Sequence, residues 1–254
     1  MQKTLSRYLS PAVIGPPQAG SQPNTDRALT FLGTSIFYVS CLFMIFPMID
    51  LTVSHWVAKG SVFVLAEQPL LRALRDFSRQ CAIYVISSMP LLIALQVFLP
   101  ARYRFCQPHK PLFVFLSFVV GPVLVVEPLK FLIGRARPRE LLEFGGSAEF
   151  TPVWQFAATC TRNCSFPSGE ASAAAAALSL VIFIPAKLRW RAAIVLAPCL
   201  LVIAFNRVLF GAHFLSDVTL GWLFTMFAMV ALWRWIEPHS KIIDRFFTRS
   251  SGTV

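Results

Sequence analysis

"LFVFLSFVVGPVLVVEPLKFLIGRARPRE", residues 112–140, runs apolar as far as Ile133 and then turns basic. A helix crossing a bilayer needs about 20 predominantly apolar residues, and 112–133 supplies them with Glu127 and Lys130 as its charged interruptions. The stretch reads as a membrane span. Working outward, 31–51, 81–99, 171–185, 192–210 and 218–236 read the same way, the 171–185 run being short unless it begins near Ser168. Hydrophobic residues make up 56% of the 254, against roughly 45–50% in an ordinary soluble chain, and mean hydropathy is +0.64. The fold expected is therefore all-α: a polytopic membrane protein built as a bundle of six transmembrane helices.

Six crossings put both termini on one side. Lysines and arginines in short loops mark the cytoplasmic face, and Arg102, Arg104, Lys110, Lys187, Arg189 and Arg191 place the termini there. Residues 1–30 are expected to form a cytoplasmic tail, 31–237 the membrane domain and 238–254 a second cytoplasmic tail. The first thirty residues lack the short apolar core of a cleavable signal peptide, leaving the first span as the targeting signal. The stretch 69–80 spaces Leu70, Leu71, Leu74 and Phe77 helically with Arg72, Arg75, Asp76 and Arg79 between them; it is either an interfacial amphipathic helix or a solvated lid. Lysine and arginine total 23 against 12 acidic residues, which in so apolar a chain points to an anionic bilayer or an anionic substrate as partner, and no nucleic-acid motif competes. Of six cysteines, Cys160 and Cys164 flank a short polar loop and would pair if it lies outside the cytoplasm.

Three segments carry chemistry. In "KFLIGRARPRE" Lys130 and Arg137 leave the membrane edge together, ahead of Pro138, which discourages further helix. They can reach one anion, or they simply snorkel to the headgroups. In "FPSGE", residues 166–170, Pro167 presets a helix start, Ser168 can cap it, and Gly169 lets backbone N–H groups approach a ligand, which describes either an anion seat or an ordinary N-cap. In "NRVLFGAHFLSD", residues 206–217, His213 and Asp217 share a helix face, so the carboxylate can hold one ring nitrogen and leave the other free to attack or to move a proton; Arg207 arrives from the preceding helix. Counted from an inside start, all three segments fall at the outer ends of their spans.

Taken together, these residues resemble the type-2 phosphatidic acid phosphatase superfamily, whose signature matches Lys130, Arg137, Pro138, Pro167, Ser168, Gly169, Arg207, His213 and Asp217 position by position. The resemblance implies a metal-independent and cofactor-free lipid phosphatase in which His213 is the nucleophile and forms a phosphohistidine. Asp217 would orient it, and Lys130, Arg137, Arg207, Ser168 and Gly169 would hold the phosphate. Fixed cations and backbone donors suit the charge that phosphoryl transfer spreads over its oxygens. Two positions depart from the signature. Asn206 replaces serine, and Glu170 replaces the histidine thought to protonate the leaving oxygen. An unperturbed glutamate has a pKa of about 4.3, so Glu170 is either a general acid whose proton affinity rises with substrate bound or only a polar contact that serves a good leaving group.

Within the superfamily, "GRARPRE", "EFGG", "TPVWQF" and "NCSFPSGEAS" look like the branch of bacterial lipid A 1-phosphatases. That implies a multi-pass protein of the bacterial inner membrane with its active site facing the periplasm and a phosphorylated membrane lipid as substrate. Undecaprenyl diphosphate and phosphatidylglycerol phosphate are the alternative substrates. A different class, a lipid transporter or assembly protein that lost catalysis, stays open through Glu127: inside the third span it is either part of a proton path or a partner for Lys130.

Overall fold

The computed structural model describes residues 22–249 with the exception of Ala158, so the outermost parts of both expected tails lie outside the described residues. Among the described residues no strand forms, and eight α-helices follow in chain order: α1 Pro23–Ile45, α2 Met48–Val57, α3 Pro69–Phe98, α4 His109–Phe118, α5 Glu127–Ile133, α6 Gly169–Ala177, α7 Arg189–Leu209 and α8 Leu215–Arg249. A π-helical stretch, Val119–Val126, joins α4 to α5 around Pro122, and a 3-10 turn, Leu178–Phe183, extends α6.

Local chemistry sets boundaries that apolar runs alone do not show. The expected span 31–51 breaks at Phe46, whose backbone leaves the helical region before Pro47, and α2 starts afresh. Residues 69–80 are not a separate helix: with no breaker between Gln80 and Cys81, they form the first turns of α3, which begins at Pro69. Likewise α1 starts at Pro23 and α8 runs through Pro238 to Arg249, so helix reaches into the sequence expected as tail on both sides.

Among the described residues, five helical segments are long and apolar enough to cross a membrane: Pro23–Ile45, Pro69–Phe98, His109–Glu140, Ala186–Leu209 and Leu215–Thr248; Gly169–Phe183 is apolar but shorter. Side chains such as Phe98 and Phe131 stand more than four-fifths exposed on the outer surface, where lipid rather than water would suit them. This is the build of a multi-pass membrane protein.

The main core gathers Phe113, Phe118, Ala174, Leu178, Leu200 and Val218 from α4, α6 and the turn that extends it, α7 and α8. Small residues let α6 approach its neighbours closely, with Ala171, Ala175 and Ala176 fully buried. Ser172 and Thr225 then share a 2.5 Å hydrogen bond between α6 and α8. At one end of the bundle, α2 and the loops after α5 and α7 close over a second cluster that includes Leu51, Phe63, Phe144 and Phe214. The motif residues lie beneath this cap.

Candidate active site

Backbone hydrogen bonds assemble the three motif segments. Gly134 ends α5 in the left-handed conformation, and the following extended chain pairs with the loop ahead of α6: Cys160 N donates to Gly134 O at 3.0 Å and Ser165 N to Arg135 O at 2.8 Å. Cys160 and Cys164 are bonded as a disulfide within that loop, their Cα atoms 5.5 Å apart. Ser168 N donates to Asp217 O at 3.0 Å, tying the start of α6 to α8, and Arg139 N donates to Gly211 O at 3.0 Å.

Each segment delivers its side chain to one neighbourhood. Ser168 is the N-cap of α6, its hydroxyl accepting from Ala171 N at 3.3 Å. Lys130 is buried and bonds Glu127 at 2.8 Å, within the same helix, so Glu127 is the intrahelical partner of Lys130. Gly169 makes room for this ammonium: a β-carbon there would stand 3.1 Å from Lys130 Nζ. Arg137 donates through Nε and Nη2 to Asn163 O, at 3.1 and 2.8 Å. Arg207 is buried against the ring of Phe210 and reaches Glu170 Oε1 with Nη2 at 3.3 Å, while its Nε and Nη1 have no acceptor among the described residues. Asn206 does not join the cations, because its Nδ2 donates to Leu71 O at 3.0 Å and ties α7 to α3.

His213 is nearly fully buried. Its Nδ1 lies 2.7 Å from Ser165 O, which can only accept, so Nδ1 carries a proton; Nε2 faces Glu170 Oε2 at 3.3 Å. The direct bond expected from Asp217 to the ring is not made in this structure. Asp217 Oδ2 is 3.8 Å from Nδ1 and instead accepts from Ser165 Oγ at 2.5 Å and Phe214 N at 2.8 Å, because helix start and Ser165 loop place those donors closer than the ring. Ser165 thus links the two, its hydroxyl donating to Asp217 and its carbonyl accepting from His213 Nδ1.

Behind this lies a charged cluster in which Asp50 and Thr151, outside the three segments, join Arg135, Ser216 and Asp217 from within them. Arg135, with no exposed surface, bonds Asp217 at 2.6 Å, Asp50 at 2.9 Å, Ser216 Oγ at 2.9 Å and Thr151 O at 2.8 Å, and its guanidinium stacks 4.1 Å from the Phe214 ring. Burial is the largest influence on Asp50 and pushes its carboxyl above the ordinary range; Arg135 pulls the other way, and Asp217 adds an upward push. Arg79 was also missed, since its turn of α3 reads as an exposed face; it donates to Glu170 Oε1 at 2.6 Å. Asp50 did carry a signal, as an ionisable residue at the end of an apolar run. Beside Glu170, Lys130 and Arg79 opens a cavity of about 680 Å³, which continues between α3, α6 and α7 along Ala82, Val85, Ala174, Leu196 and Ile203.

Parts of the chain are similar in sequence to known proteins. Lipid A 4'-phosphatase of Rhizobium leguminosarum is 42% identical over 117 residues, covering 46% of this chain and 50% of that protein, and lipid A 4'-phosphatase of Rhizobium etli is 41% identical over 117 residues, covering 46% of each. The chain thus spans about half the length of these two relatives. Lipid A 4'-phosphatase of Francisella tularensis subsp. novicida is 27% identical over 189 residues, covering 72% of this chain and 83% of that protein. No solved structure matches the chain. Residues 111–241, which hold every motif side chain described above, match the PAP2 superfamily, and the chain belongs to it.

Proposed function

We propose that the protein is a membrane lipid phosphatase that hydrolyses a phosphomonoester of lipid A through a phosphohistidine on His213. One observation carries the reading: Arg207 Nη2 and His213 Nε2, both buried, meet on the two oxygens of one carboxylate, Glu170, each at 3.3 Å. A phosphate there would engage both, with Lys130, Arg137 and the N-terminal amides of α6 completing the anion seat.

Glu170 occupies part of that seat. In this scheme Nδ1 donates its N–H to Ser165 O, and one further proton lies between Nε2 and Glu170 Oε2, 3.3 Å apart. Incoming phosphate displaces the carboxylate from Arg207 and Nε2, and the shared proton goes with Glu170. Nε2 then has a free lone pair. It attacks phosphorus, the bond from phosphorus to the leaving oxygen breaks, and that oxygen takes the proton from Glu170. Water next attacks the phosphohistidine, giving a proton to the Glu170 carboxylate, and inorganic phosphate departs with the imidazole restored.

The neighbouring apolar cavity between α3, α6 and α7 suits an acyl chain, which favours a lipid over a soluble ester. Sequence resemblance suggests the 1-phosphate, whereas the relatives are named for the 4' position, and we take the 4'-phosphate as the site of attack. The short helix Gly169–Phe183 is read as completing six crossings of the bacterial inner membrane, with the site periplasmic and both termini cytoplasmic. The pairing of Glu127 with Lys130 supports its reading as an intrahelical partner over a proton path.

The test is phosphate release by the purified protein from lipid A bearing only the 1-phosphate, lipid A bearing only the 4'-phosphate, undecaprenyl diphosphate and phosphatidylglycerol phosphate. The 4'-monophosphate is expected to turn over fastest. His213→Ala is expected to slow release by about a thousandfold or more. Turnover by His213→Ala at the unsubstituted rate would remove the phosphatase reading.

A further inference from the structure

Arg79 belongs to none of the three motif segments, yet its 2.6 Å bond is the shortest polar contact on Glu170. Arg207 Nη2 reaches the same oxygen, Oε1, at 3.3 Å, and His213 Nε2 reaches Oε2 at 3.3 Å. The two carboxylate oxygens therefore have different attachments. Arriving phosphate competes for Arg207 and Nε2, which line the buried seat. It competes far less for Arg79, whose side chain is 51% exposed at the rim. Other charges act on Glu170 from a distance: Arg75 of α3, Arg137 beyond α5, and Lys130, beside Gly169.

We propose that Arg79 is a positioning residue that retains Glu170 by Oε1 while substrate phosphate displaces the carboxylate from Arg207 and His213. Oε2, carrying the proton released by Nε2, then stays at the edge of the seat where the leaving oxygen emerges. The inference rests on the phosphatase reading above. Its chemistry balances: one proton moves from Nε2 to Oε2 and then to the leaving oxygen, while Arg79 donates to Oε1 throughout and transfers nothing.

The measurement is the ratio of kcat for an alkyl phosphate, short-chain phosphatidate, to kcat for an aryl phosphate, p-nitrophenyl phosphate, in detergent. An aryl oxygen leaves readily without a proton, so the ratio reports leaving-group protonation. Glu170→Gln is expected to lower the ratio by about 100-fold. Arg79→Gln is expected to lower it by about tenfold, Arg79→Lys to restore most of it, and Arg79→Gln to change it by less than about twofold when Glu170→Gln is already present. Equal slowing of both esters by Arg79→Gln would overturn the assignment, as would a full tenfold effect in the Glu170→Gln background or an unchanged ratio in Glu170→Gln. These results leave the phosphatase reading standing. Absence of phosphate release from every ester and every lipid above sinks both.

Discussion

A carboxylate 3.8 Å from an imidazole nitrogen is too far to hold it by a hydrogen bond, yet Asp217 is linked to His213 through Ser165. It fixes Ser165 Oγ and Phe214 N, and the carbonyl of that same Ser165 receives the ring proton. Ser165→Ala keeps the carbonyl but leaves Asp217 short of a donor. It is expected to lower kcat about tenfold with KM moving less than about twofold, measured by steady-state phosphate release. Arg135 has a larger task, since its guanidinium pairs with two buried carboxylates, those of Asp50 and Asp217. Arg135→Met would leave both uncompensated at a cost of about 3–5 kcal/mol, and thermal unfolding in detergent is expected to show it. A purely catalytic Arg135 would lower turnover without moving the melting transition.

At the scale of elements, α8 reaches the anion seat through a glycine. A β-carbon at Gly221 would lie 2.8 Å from Ser168 O and 3.2 Å from Ser168 N, both backbone atoms of the turn that starts α6. Gly221→Ala must therefore push that turn away. Gly169→Ala meets only the flexible end of Lys130 at 3.1 Å, which can shift. Gly221→Ala is expected to reduce kcat/KM at least about tenfold more than Gly169→Ala, read from the two variants on one substrate. Similar losses would show that α8 packing does not set the turn. Such contacts explain what apolar runs conceal. The stretch 112–133 was legible because its length fixes a span, and the break at Pro47 was available in the proline itself. The union of 69–80 with 81–99 was not, because a charged amphipathic face and the outer turns of a longer span have the same pattern.

For the molecule as a whole, the motif residues were legible because residue type and spacing carry their chemistry. Arg79 was not, and Asp50 showed only as an ionisable residue at the end of an apolar run, because their importance lies in partners far along the chain, Glu170 and Arg135, and only folding supplies those. Element order also separates the two ends of the bundle. α5 and α7 finish at the site while α6 and α8 begin there, and Arg102, Lys110, Lys187 and Arg189 lie at the opposite ends of their helices. By the positive-inside rule the site is expected to face outward, as proposed above. Ser147, in the exposed loop beside the site, and Lys187, in the exposed turn before α7, serve to test this. With Cys41, Cys81, Cys106 and Cys199 replaced by serine, a membrane-impermeant maleimide applied to spheroplasts is expected to label Ser147→Cys directly and Lys187→Cys only after permeabilisation. The reverse pattern would turn the molecule over, placing the anion seat in the cytoplasm and assigning it substrates of the inner leaflet.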